Sequence, residues 1–331
     1  MSRRYLVGVD SGGTKIDVLV ADQNGRVLSF ARGLGGIPRR IGHSEYLNRL
    51  LAIIRVGLDD AVRGEAGRIE FELGVGLAGY DWLSQKAELE ALVASIPGCS
   101  ELRLVNDTTL ALIAGIESGH GICVSAGTGC NCRGIDFDGT EHRVIGTGYM
   151  FAEYGSAISI SAKAVEAIGH EWIGRGPATT LSRELVSQSG CSTLDAVIED
   201  ISVGKLVIGP EFAVKVIEHA NAGDEVAQEI LTWAASELSE LVSAVAHQFP
   251  EGHQPVNVVG AGRLLRESSP LWRMTRAAIS NRFPKAHIHA LSVPTALGGL
   301  MTTTSGTASG FRSRLVKSFR EQPTLIRQWQ A

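Results

Sequence analysis

The chain has 331 residues, too many for one ordinary core, and this length predicts two domains. Hydrophobic residues make up 44% and charged residues 20%, which excludes a largely disordered chain. The net charge of −4, without a basic run, argues against nucleic acid or an anionic membrane as a partner, and no apolar run reaches the roughly 18 residues of a membrane span.

The first apolar strand begins within five residues of the N-terminus, which leaves no room for a signal peptide, so we expect a cytoplasmic protein. An odd, scattered set of cysteines favours reduced thiols over a disulfide framework; they are Cys99, Cys123, Cys130, Cys132 and Cys191. Cys130 and Cys132 form the one close pair, and without a second pair they are weak evidence for zinc.

The N-terminal stretch is two apolar runs around a glycine-rich turn. Tyr5–Val9 and Ile16–Val20 are rich in β-branched and aliphatic residues and predict two strands. The polar segment Asp10–Lys15 between them predicts a hairpin turn.

This turn carries the residues of a phosphate-binding loop. Gly12 and Gly13 can adopt positive φ and let a ligand approach the backbone. Their N–H groups, the Thr14 hydroxyl and the Lys15 ammonium would donate to one anion. Asp10 would repel phosphate unless a cation lies between them, so we expect it to hold Mg²⁺. The alternative is a hairpin whose glycines only close a tight turn.

The remainder of the first half alternates strands and helices after a third strand that completes an antiparallel meander. The predicted elements are strand Arg26–Ala31, helix Glu45–Leu58 capped by Ser44, strand Phe71–Leu77, helix Ser84–Ser95, strand Leu102–Val105 and helix Leu110–Ile116. The first half therefore has the order β-β-β-α-β-α-β-α.

The opening pattern returns in the second half. Strand Ile122–Ser125, the Gly/Thr loop Ala126–Asn131 and strand Cys132–Phe137 repeat strand, polar loop, strand. Two loops of this type, each opening one half, predict duplicated domains that face a shared cleft.

The second half continues mostly as helices. The predicted helices are Gly155–Ile168, Thr180–Ser187, Leu194–Ile201, Glu211–Ala220, Glu225–Gln248, Ser269–Phe283 and Thr295–Thr302, with strands at Val256–Val259 and Ile288–Leu291. The turn after the first of these strands, Gly260, Ala261 and Gly262, suits a nucleotide base or ribose, or is the ordinary end of a buried strand. The polar, serine-rich residues 305–331 predict a surface tail or an oligomer contact.

Five stretches together resemble the sugar kinase, Hsp70 and actin superfamily, and within it the BadF/BadG/BcrA/BcrD-type ATPase family and its N-acetylglucosamine kinases. They are Asp10–Lys15, Val105–Asp107, Gly127–Arg133, Phe137–Gly139 and Gly155–Ala157, and the match continues through Gly260–Gly262 and Ala296–Gly299. The resemblance implies an α/β protein of two ribonuclease-H-like, actin-like ATPase domains with a central cleft that binds ATP and Mg²⁺. We expect domains at residues 1–118 and 119–303, a helix near 294–303 that packs back on the first domain, and a tail at 304–331.

The resemblance also assigns roles. Gly12, Gly13, Thr14 and Lys15 would hold the ATP phosphates from one side, with Asp10 on Mg²⁺; the second set that would hold ATP is Gly127, Thr128, Gly129, Gly260, Ala261 and Gly262. Asp107, where a strand ends and a helix begins, would be the base that accepts the proton of a sugar hydroxyl. The alternative for Asp107 is a helix N-cap.

The sugar pocket departs from the family pattern. We expect the substrate at Gly79, Asp81, Asp107, Cys130, Asn131, Gly146 and Glu153. Asp81, at a neighbouring strand end, is the second candidate for the base after Asp107. The loop Gly33–Arg40 lacks the family's asparagine, Cys130 and Ala126 replace two serines, Thr147 replaces a tryptophan, and Glu153 replaces an aspartate. A different amino sugar or polyol therefore stays open.

The function these residues predict is ATP-dependent phosphorylation of an amino sugar, N-acetylglucosamine or glucosamine, by a homodimer. The alternatives are an activator ATPase with an iron–sulfur cluster, for which Cys130 and Cys132 are poorly placed inside the loop, and a sugar or nucleotide sensor without turnover. A repressor-type sugar kinase is disfavoured, because no further cysteine follows Cys132 before Cys191 and no DNA-binding segment precedes Tyr5.

Overall fold

The computed structural model describes residues 3–62, 69–254 and 257–331. The chain is an α/β protein that forms two compact units, the first of Met1–Cys123 with Leu291–Ala331 and the second of Val124–Ala290. The sequence analysis expected only the helix near residues 294–303 to return to the first domain, whereas all of Leu291–Ala331 groups with the first unit. Within the described ranges, no helix combines the length and apolar character that crossing a membrane requires.

The strands in the described ranges are β1 Arg3–Ser11, β2 Lys15–Asp22, β3 Val27–Leu34, β4 Ile69–Leu77, β5 Cys99–Asn106, β6 Gly121–Ala126, β7 Cys130–Ile135, β8 Glu141–Arg143, β9 Asn257–Ala261 and β10 His287–Ala290. The α-helices are α1 Pro38–Ile41, α2 His43–Val62, α3 Lys86–Ala94, α4 Asp107–Gly115, α5 Ala157–Trp172, α6 Thr180–Ser189, α7 Leu194–Ser202, α8 Phe212–Asn221, α9 Glu225–Ala246, α10 Pro270–Arg282, α11 Ala296–Thr302, α12 Phe311–Arg320 and α13 Pro323–Gln330. Val256, which the sequence analysis put at the start of β9, lies outside the described residues.

The first unit is built on a sheet of order β3-β2-β1-β4-β5. β1 pairs antiparallel with β2, and β2 pairs antiparallel with β3, which confirms the predicted meander. β4 and β5 then add in parallel on the other side of β1. The sheet is therefore half hairpin and half parallel, and the parallel half brings the carboxyl ends of three strands to one edge.

The second unit repeats this arrangement. Its sheet has the order β10-β9-β6-β7-β8, in which the unit's first strand is again central, its second and third lie on one side and its fourth and fifth on the other. The shared strand order confirms the duplication that the repeated Gly/Thr loop predicted.

The main core of the first unit lies between the sheet and α2. Tyr46, Leu50, Ile54 and Leu58 recur every four residues on α2 and are buried against strand residues of the sheet. This spacing places them on one helix face. The predicted cap at Ser44 is wrong, because the helix begins one residue earlier, at His43.

On the opposite side of the first sheet, α11 packs directly on the backbone of β1 and β4. Side chains on Gly8 or Gly74 would clash with the carbonyl oxygens of Ala296 and Gly299 respectively. A side chain on Gly299 would clash with the Gly74 carbonyl. Glycine is required here because any Cβ would push the helix off the sheet.

The segment expected to be a tail is part of the fold. Phe311, Leu315 and Phe319 of α12 and Leu325 of α13 are buried in a second core of the first unit. Phe311, Leu315 and Phe319 recur every four residues in α12, which is rich in arginine and lysine, so the basic face masked the apolar one.

The close packing of α11 predicts that Gly74→Ala destabilises the first unit. The added Cβ meets the Gly299 carbonyl and the Thr302 hydroxyl, both of which are fixed in α11. We expect the free energy of unfolding to fall by ~2 kcal/mol or more, measured by urea denaturation.

Gly169→Ala is the matched control, because Gly169 lies inside α5 and a Cβ there would meet nothing within 4 Å. It should stabilise the protein by up to ~1 kcal/mol, since glycine is unfavourable within a helix. Equal effects of the two substitutions would contradict the tight approach at Gly74.

Candidate active site

The first unit gathers polar residues at the carboxyl ends of its parallel strands. The pairing register aligns Ser11 with Leu77, and Leu77 with Asn106. Asp10 near the end of β1, the turn Gly79–Asp81 after β4 and Asp107 after β5 therefore lie at one edge of the sheet. Ligand chemistry in α/β proteins concentrates at such edges.

Asp107 is not the cap of its helix. The cap of α4 is Asn106, whose side-chain oxygen accepts the Thr108 N–H at 2.8 Å. Asp107 is the first helical residue, and its Oδ1 also lies 3.0 Å from that N–H. The structural role that the sequence analysis weighed against catalysis thus belongs mainly to the preceding residue.

Asn106 also ties the substrate turn to this helix. Its Nδ2 donates to the Tyr80 carbonyl at 3.1 Å and to Asp81 Oδ1 at 3.2 Å. Gly79 has φ +82°, which a side chain would oppose, and Asp81 is buried. The structure thus brings three predicted site residues, Gly79, Asp81 and Asp107, together around one asparagine.

Asp10 is in an environment that penalises its charge. Burial raises its pKa to about 7, and the neighbouring carboxylates of Asp107 and Asp17 contribute to the rise. The Lys15 ammonium and a hydrogen bond with Thr295 partly oppose it. A bound cation would relieve this repulsion, which is the environment that a Mg²⁺ ligand requires.

The hairpin after Asp10 is held by backbone hydrogen bonds, and its tip is exposed. Gly12 N–H donates to the Lys15 carbonyl at 2.9 Å, and Gly36 N–H donates to the Gly12 carbonyl at 3.1 Å. Gly13 and Thr14 are exposed. Neither Gly12 nor Gly13 is among the described glycines with positive φ, so the loop does not use that freedom here.

Lys15 already has an acidic neighbour. Its Nζ lies 2.7 Å from Asp17 Oδ2, and its side chain is 43% exposed. An ammonium carries three donors, so this ion pair leaves capacity for a phosphate. Asp17 therefore orients the lysine that the sequence analysis assigned to ATP.

The loop Gly127–Gly129 is fixed at the N-terminus of α5. The Gly127 N–H donates to the Gly129 carbonyl at 2.8 Å, and the Ala157 N–H donates to the Gly127 carbonyl at 2.9 Å. A Cβ on Gly127 or Gly129 would meet nothing within 4 Å. The backbone here borders open space, as a phosphate-binding loop requires, and Thr128 is exposed beside it.

The turn Gly260–Gly262 lies against this loop. Gly262 has φ +90°, and a side chain there would clash with the carbonyl of Ala126, the residue before Gly127. Gly260 is crowded by the Trp272 ring, and Ala261 is buried. Packing against Trp272 accounts for Gly260, which therefore fits the ordinary end of a buried strand. Gly262 brings the turn against the loop Gly127–Gly129.

Glu153 organises a loop. Its Oε1 accepts the Gly146 N–H at 2.7 Å, and its Oε2 accepts the N–H groups of Thr147 and Gly148 at 2.7 and 2.8 Å. The side chain is buried. The structure thus joins two predicted substrate residues, Gly146 and Glu153, in one network of backbone donors.

Cys130 faces the protein backbone. Its Sγ lies 3.2 Å from the Glu153 carbonyl and 3.3 Å from the Tyr154 carbonyl, so the thiol donates to this segment. Burial raises its pKa to about 12, which keeps the thiol protonated. Its neighbour Asn131 accepts the Cys132 N–H through its side-chain oxygen at 2.8 Å.

Sequence reasoning missed Asn106, Asp17 and Thr295. Asn106 directly precedes Asp107, so its type and position at a helix start were the available signal. Asp17 stands two residues after Lys15, where strand alternation puts both side chains on one face.

In the described ranges, no group of three or more His, Cys, Asp or Glu side chains could hold a metal ion. Mg²⁺ bound with a nucleotide needs only one or two protein carboxylates, so this geometry still suits it.

Comparison with known proteins places this geometry in a family context. Residues 7–300 match the model of the BadF/BadG/BcrA/BcrD ATPase family. An N-acetylmuramic acid/N-acetylglucosamine kinase of Clostridium acetobutylicum is 28% identical over 91% of this chain and 99% of its own length. An N-acetyl-D-glucosamine kinase of Dictyostelium discoideum is 25% identical over 87% of this chain and 94% of its own.

Solved structures show the same fold. A candidate N-acetylglucosamine kinase from Chromobacterium violaceum superposes with a TM-score of 0.72 at 22% identity, covering 91% of this chain and 98% of that one. A ROK family glucokinase from Streptomyces griseus, in complex with glucose and AMPPNP, superposes with a TM-score of 0.53 at 20% identity, covering 89% and 97%. The two-domain architecture of sugar kinases is therefore the fold of this chain.

The raised pKa of Asp10 predicts that Asp10→Asn stabilises the ligand-free protein in a pH-dependent way. Between the ordinary carboxyl value of 3.8 and about 7, the folded wild type keeps a proton that the unfolded chain loses. Its stability therefore falls as pH rises through this window, whereas asparagine contributes no such loss. We expect the difference in melting temperature, Asp10→Asn minus wild type, to be larger at pH 8 than at pH 4.5. Both proteins are measured with EDTA and without nucleotide.

Asp60→Asn is the control, because Asp60 is exposed on α2. Its difference from wild type should be similar at both pH values. A pH-independent difference for Asp10→Asn would contradict a protonated Asp10 in the folded state.

Proposed function

The chain belongs to the BadF/BadG/BcrA/BcrD ATPase family, and we propose that it is a carbohydrate kinase that transfers the γ-phosphoryl group of ATP to an amino sugar. The observation that carries the proposal is that the Asp107 carboxylate lies near Asp10 at one edge of the first sheet, while Asn106 supplies the helix cap. The first candidate substrates are N-acetylglucosamine and glucosamine, which relatives' names support.

In this reaction Asp107 is the general base. Its carboxylate takes the proton of one sugar hydroxyl while that oxygen attacks the γ-phosphorus, and ADP leaves. Asp81, held by Asn106, hydrogen-bonds the sugar beside it, together with the backbone at Gly79. Because Asn106 caps α4, capping does not require the Asp107 carboxylate.

Phosphate binding needs donors and a cation. Gly12, Gly13, Thr14 and Lys15 bind phosphate in the first unit, and Gly127, Thr128 and Gly129 do so in the second, with Gly260–Gly262 receiving the nucleoside. Asp10 would hold Mg²⁺ or its water shell, and the metal would neutralise charge on the phosphates.

In the second unit, the residues proposed for sugar binding are Asn131 and the loop that Glu153 organises. Glu153 already accepts three backbone N–H groups, so its main contribution is to hold Gly146–Gly148 in place. Cys130 fixes the adjacent backbone through its thiol. Glu153 and Cys130 hold the backbone of the proposed sugar site, and Asn131 is the residue proposed to contact the sugar.

The activator-ATPase alternative finds no support in the cysteines. An iron–sulfur cluster shared between subunits needs accessible thiolates. Cys130 and Cys132 are both buried in β7, and the Cys130 thiol is engaged by backbone carbonyls. A sugar sensor without turnover is the remaining alternative, and turnover itself separates it from the kinase.

A carboxylated amino sugar is a second candidate substrate. Arg39 is exposed on α1, and its Nη2 donates to the Gly79 carbonyl at 3.3 Å, at the rim of the substrate turn. In the described ranges no carboxylate pairs with it. A guanidinium placed there suits an anionic substituent, and the Clostridium acetobutylicum relative is named for N-acetylmuramic acid as well.

The deciding experiment is a sugar panel. Purified protein with MgATP is tested for ADP release with N-acetylglucosamine, glucosamine, N-acetylmuramic acid and glucose. Stimulated release with an amino sugar supports the proposal. ATP binding without stimulation by any sugar would favour the sensor. We expect a cytoplasmic homodimer, and light scattering measures its mass.

Asp107→Asn should reduce kcat for the accepted sugar by ~10²-fold or more, because asparagine cannot accept the hydroxyl proton. Its side-chain oxygen can still accept the Thr108 N–H, so the helix start is retained. ATP affinity should stay within about three-fold of wild type, measured by calorimetry. Wild-type turnover in this variant, with the exposed Asp60→Asn as control, would remove Asp107 as the base.

Arg39→Gln should separate neutral from anionic sugars. Loss of a charge-assisted hydrogen bond should lower kcat/KM for N-acetylmuramic acid by ~10-fold or more and change that for N-acetylglucosamine by less than ~3-fold. Arg40→Gln is the control, since Arg40 is the exposed neighbouring arginine. An equal loss for both sugars would assign Arg39 to the shape of the substrate turn instead.

A further inference from the structure

Three charged residues lie side by side across the first sheet. The strand register pairs Asp10 of β1 with Asp17 of β2, and Asp17 with Arg32 of β3. Side chains of directly opposed residues point to the same face of a sheet. Asp17 therefore stands between the carboxylate assigned to Mg²⁺ and an arginine.

Asp17 is buried, at 2% exposure, and its charge is balanced from two sides. Arg32 donates through Nε to Oδ1 at 2.6 Å and through Nη2 to Oδ2 at 3.0 Å. Lys15 donates to the same Oδ2 at 2.7 Å. The two-donor contact fixes the plane of the carboxylate, and this plane sets where the Lys15 ammonium lies.

Arg32 is in turn held by the C-terminal helix. Its Nη2 donates to the Trp329 carbonyl of α13 at 2.9 Å. The Trp329 ring packs edge-on against Phe319 of α12, with ring centroids 5.9 Å apart. α13 lies beyond residues 7–300, the part of the chain that matches the family model.

We propose that Arg32 is a positioning residue for the phosphate-binding hairpin, and that α13 holds it in that role. Arg32 neutralises Asp17 and orients it, and Asp17 presents the Lys15 ammonium to the nucleotide. The inference rests on the proposed function in taking Gly12–Lys15 as the phosphate-binding hairpin. Arg32 acts through Asp17 and Lys15 and has no contact with the substrate.

The charges around Asp17 predict the effect of losing Arg32. Without the guanidinium, a buried carboxylate remains with Lys15 as its main cation, so the ammonium is held more strongly at Asp17 and less at phosphate. The uncompensated negative charge also stands next to Asp10 and repels the nucleotide phosphates. Both effects weaken MgATP binding, and neither concerns the sugar.

The test is a charge-rescue series in the full-length protein, with MgATP binding measured by calorimetry and KM values measured with the accepted sugar. Arg32→Gln should weaken MgATP binding by ~10-fold or more and leave the sugar KM within ~2-fold. Removing the orphaned charge as well, in Arg32→Gln with Asp17→Asn, should restore most of that loss. A structural role alone would affect MgATP binding and the sugar KM alike, so its recovery would not be selective for MgATP.

The helix contribution is tested by Trp329→Ala against Gln328→Ala, an exposed neighbour on α13. Trp329→Ala should weaken MgATP binding by a smaller factor than Arg32→Gln, and Gln328→Ala should leave it unchanged. The inference is overturned if Arg32→Gln leaves MgATP binding unchanged, affects the two substrates equally, or is not rescued by Asp17→Asn. Calorimetry measures MgATP binding without a sugar. Failure of the sugar panel would therefore overturn the proposed function without deciding the role of Arg32.

Discussion

Parallel pairing of β1, β4 and β5 is the constraint on which the candidate site depends. Because these strands run in one direction and in register, the residues that follow them meet at one edge. Asp10 and Asp107 become neighbours there although they are far apart in the sequence. The fold brings two like charges together, and the binding of a cation and the transfer of a proton are the two processes that this arrangement favours.

The residues proposed for the reaction differ in chemistry between the two units. The first supplies ionisable side chains, namely Asp10, Lys15 and Asp107, while the second supplies backbone groups at Gly127–Gly129. In the second unit the buried Glu153 carboxylate is satisfied by backbone N–H groups, so it shapes a loop. This division fits a reaction in which one substrate gives up a proton and the other carries a polyanion.

The sequence was sufficient to predict elements with strong periodicity and loops with glycine and threonine. The meander, the duplicated sheets and the strand-end position of Asp107 follow from such patterns. The partners of polar groups could not be predicted, since they depend on cross-strand register and on distant loops. Cys130 shows this limit, because its position in the loop suggested a substrate contact while its thiol donates to backbone carbonyls. The α12 helix was missed because its basic residues conceal its apolar spacing.

The return of the chain to the first unit has a consequence for biosynthesis. The first sheet is translated early, yet the helix that covers Gly8 and Gly74 belongs to the segment beginning at Leu291. A ribosome must therefore complete the second unit before the first can bury that face. During elongation the growing polypeptide presents an unprotected apolar surface, which is a target for chaperones, and maturation of the first unit waits until the segment from Leu291 has emerged.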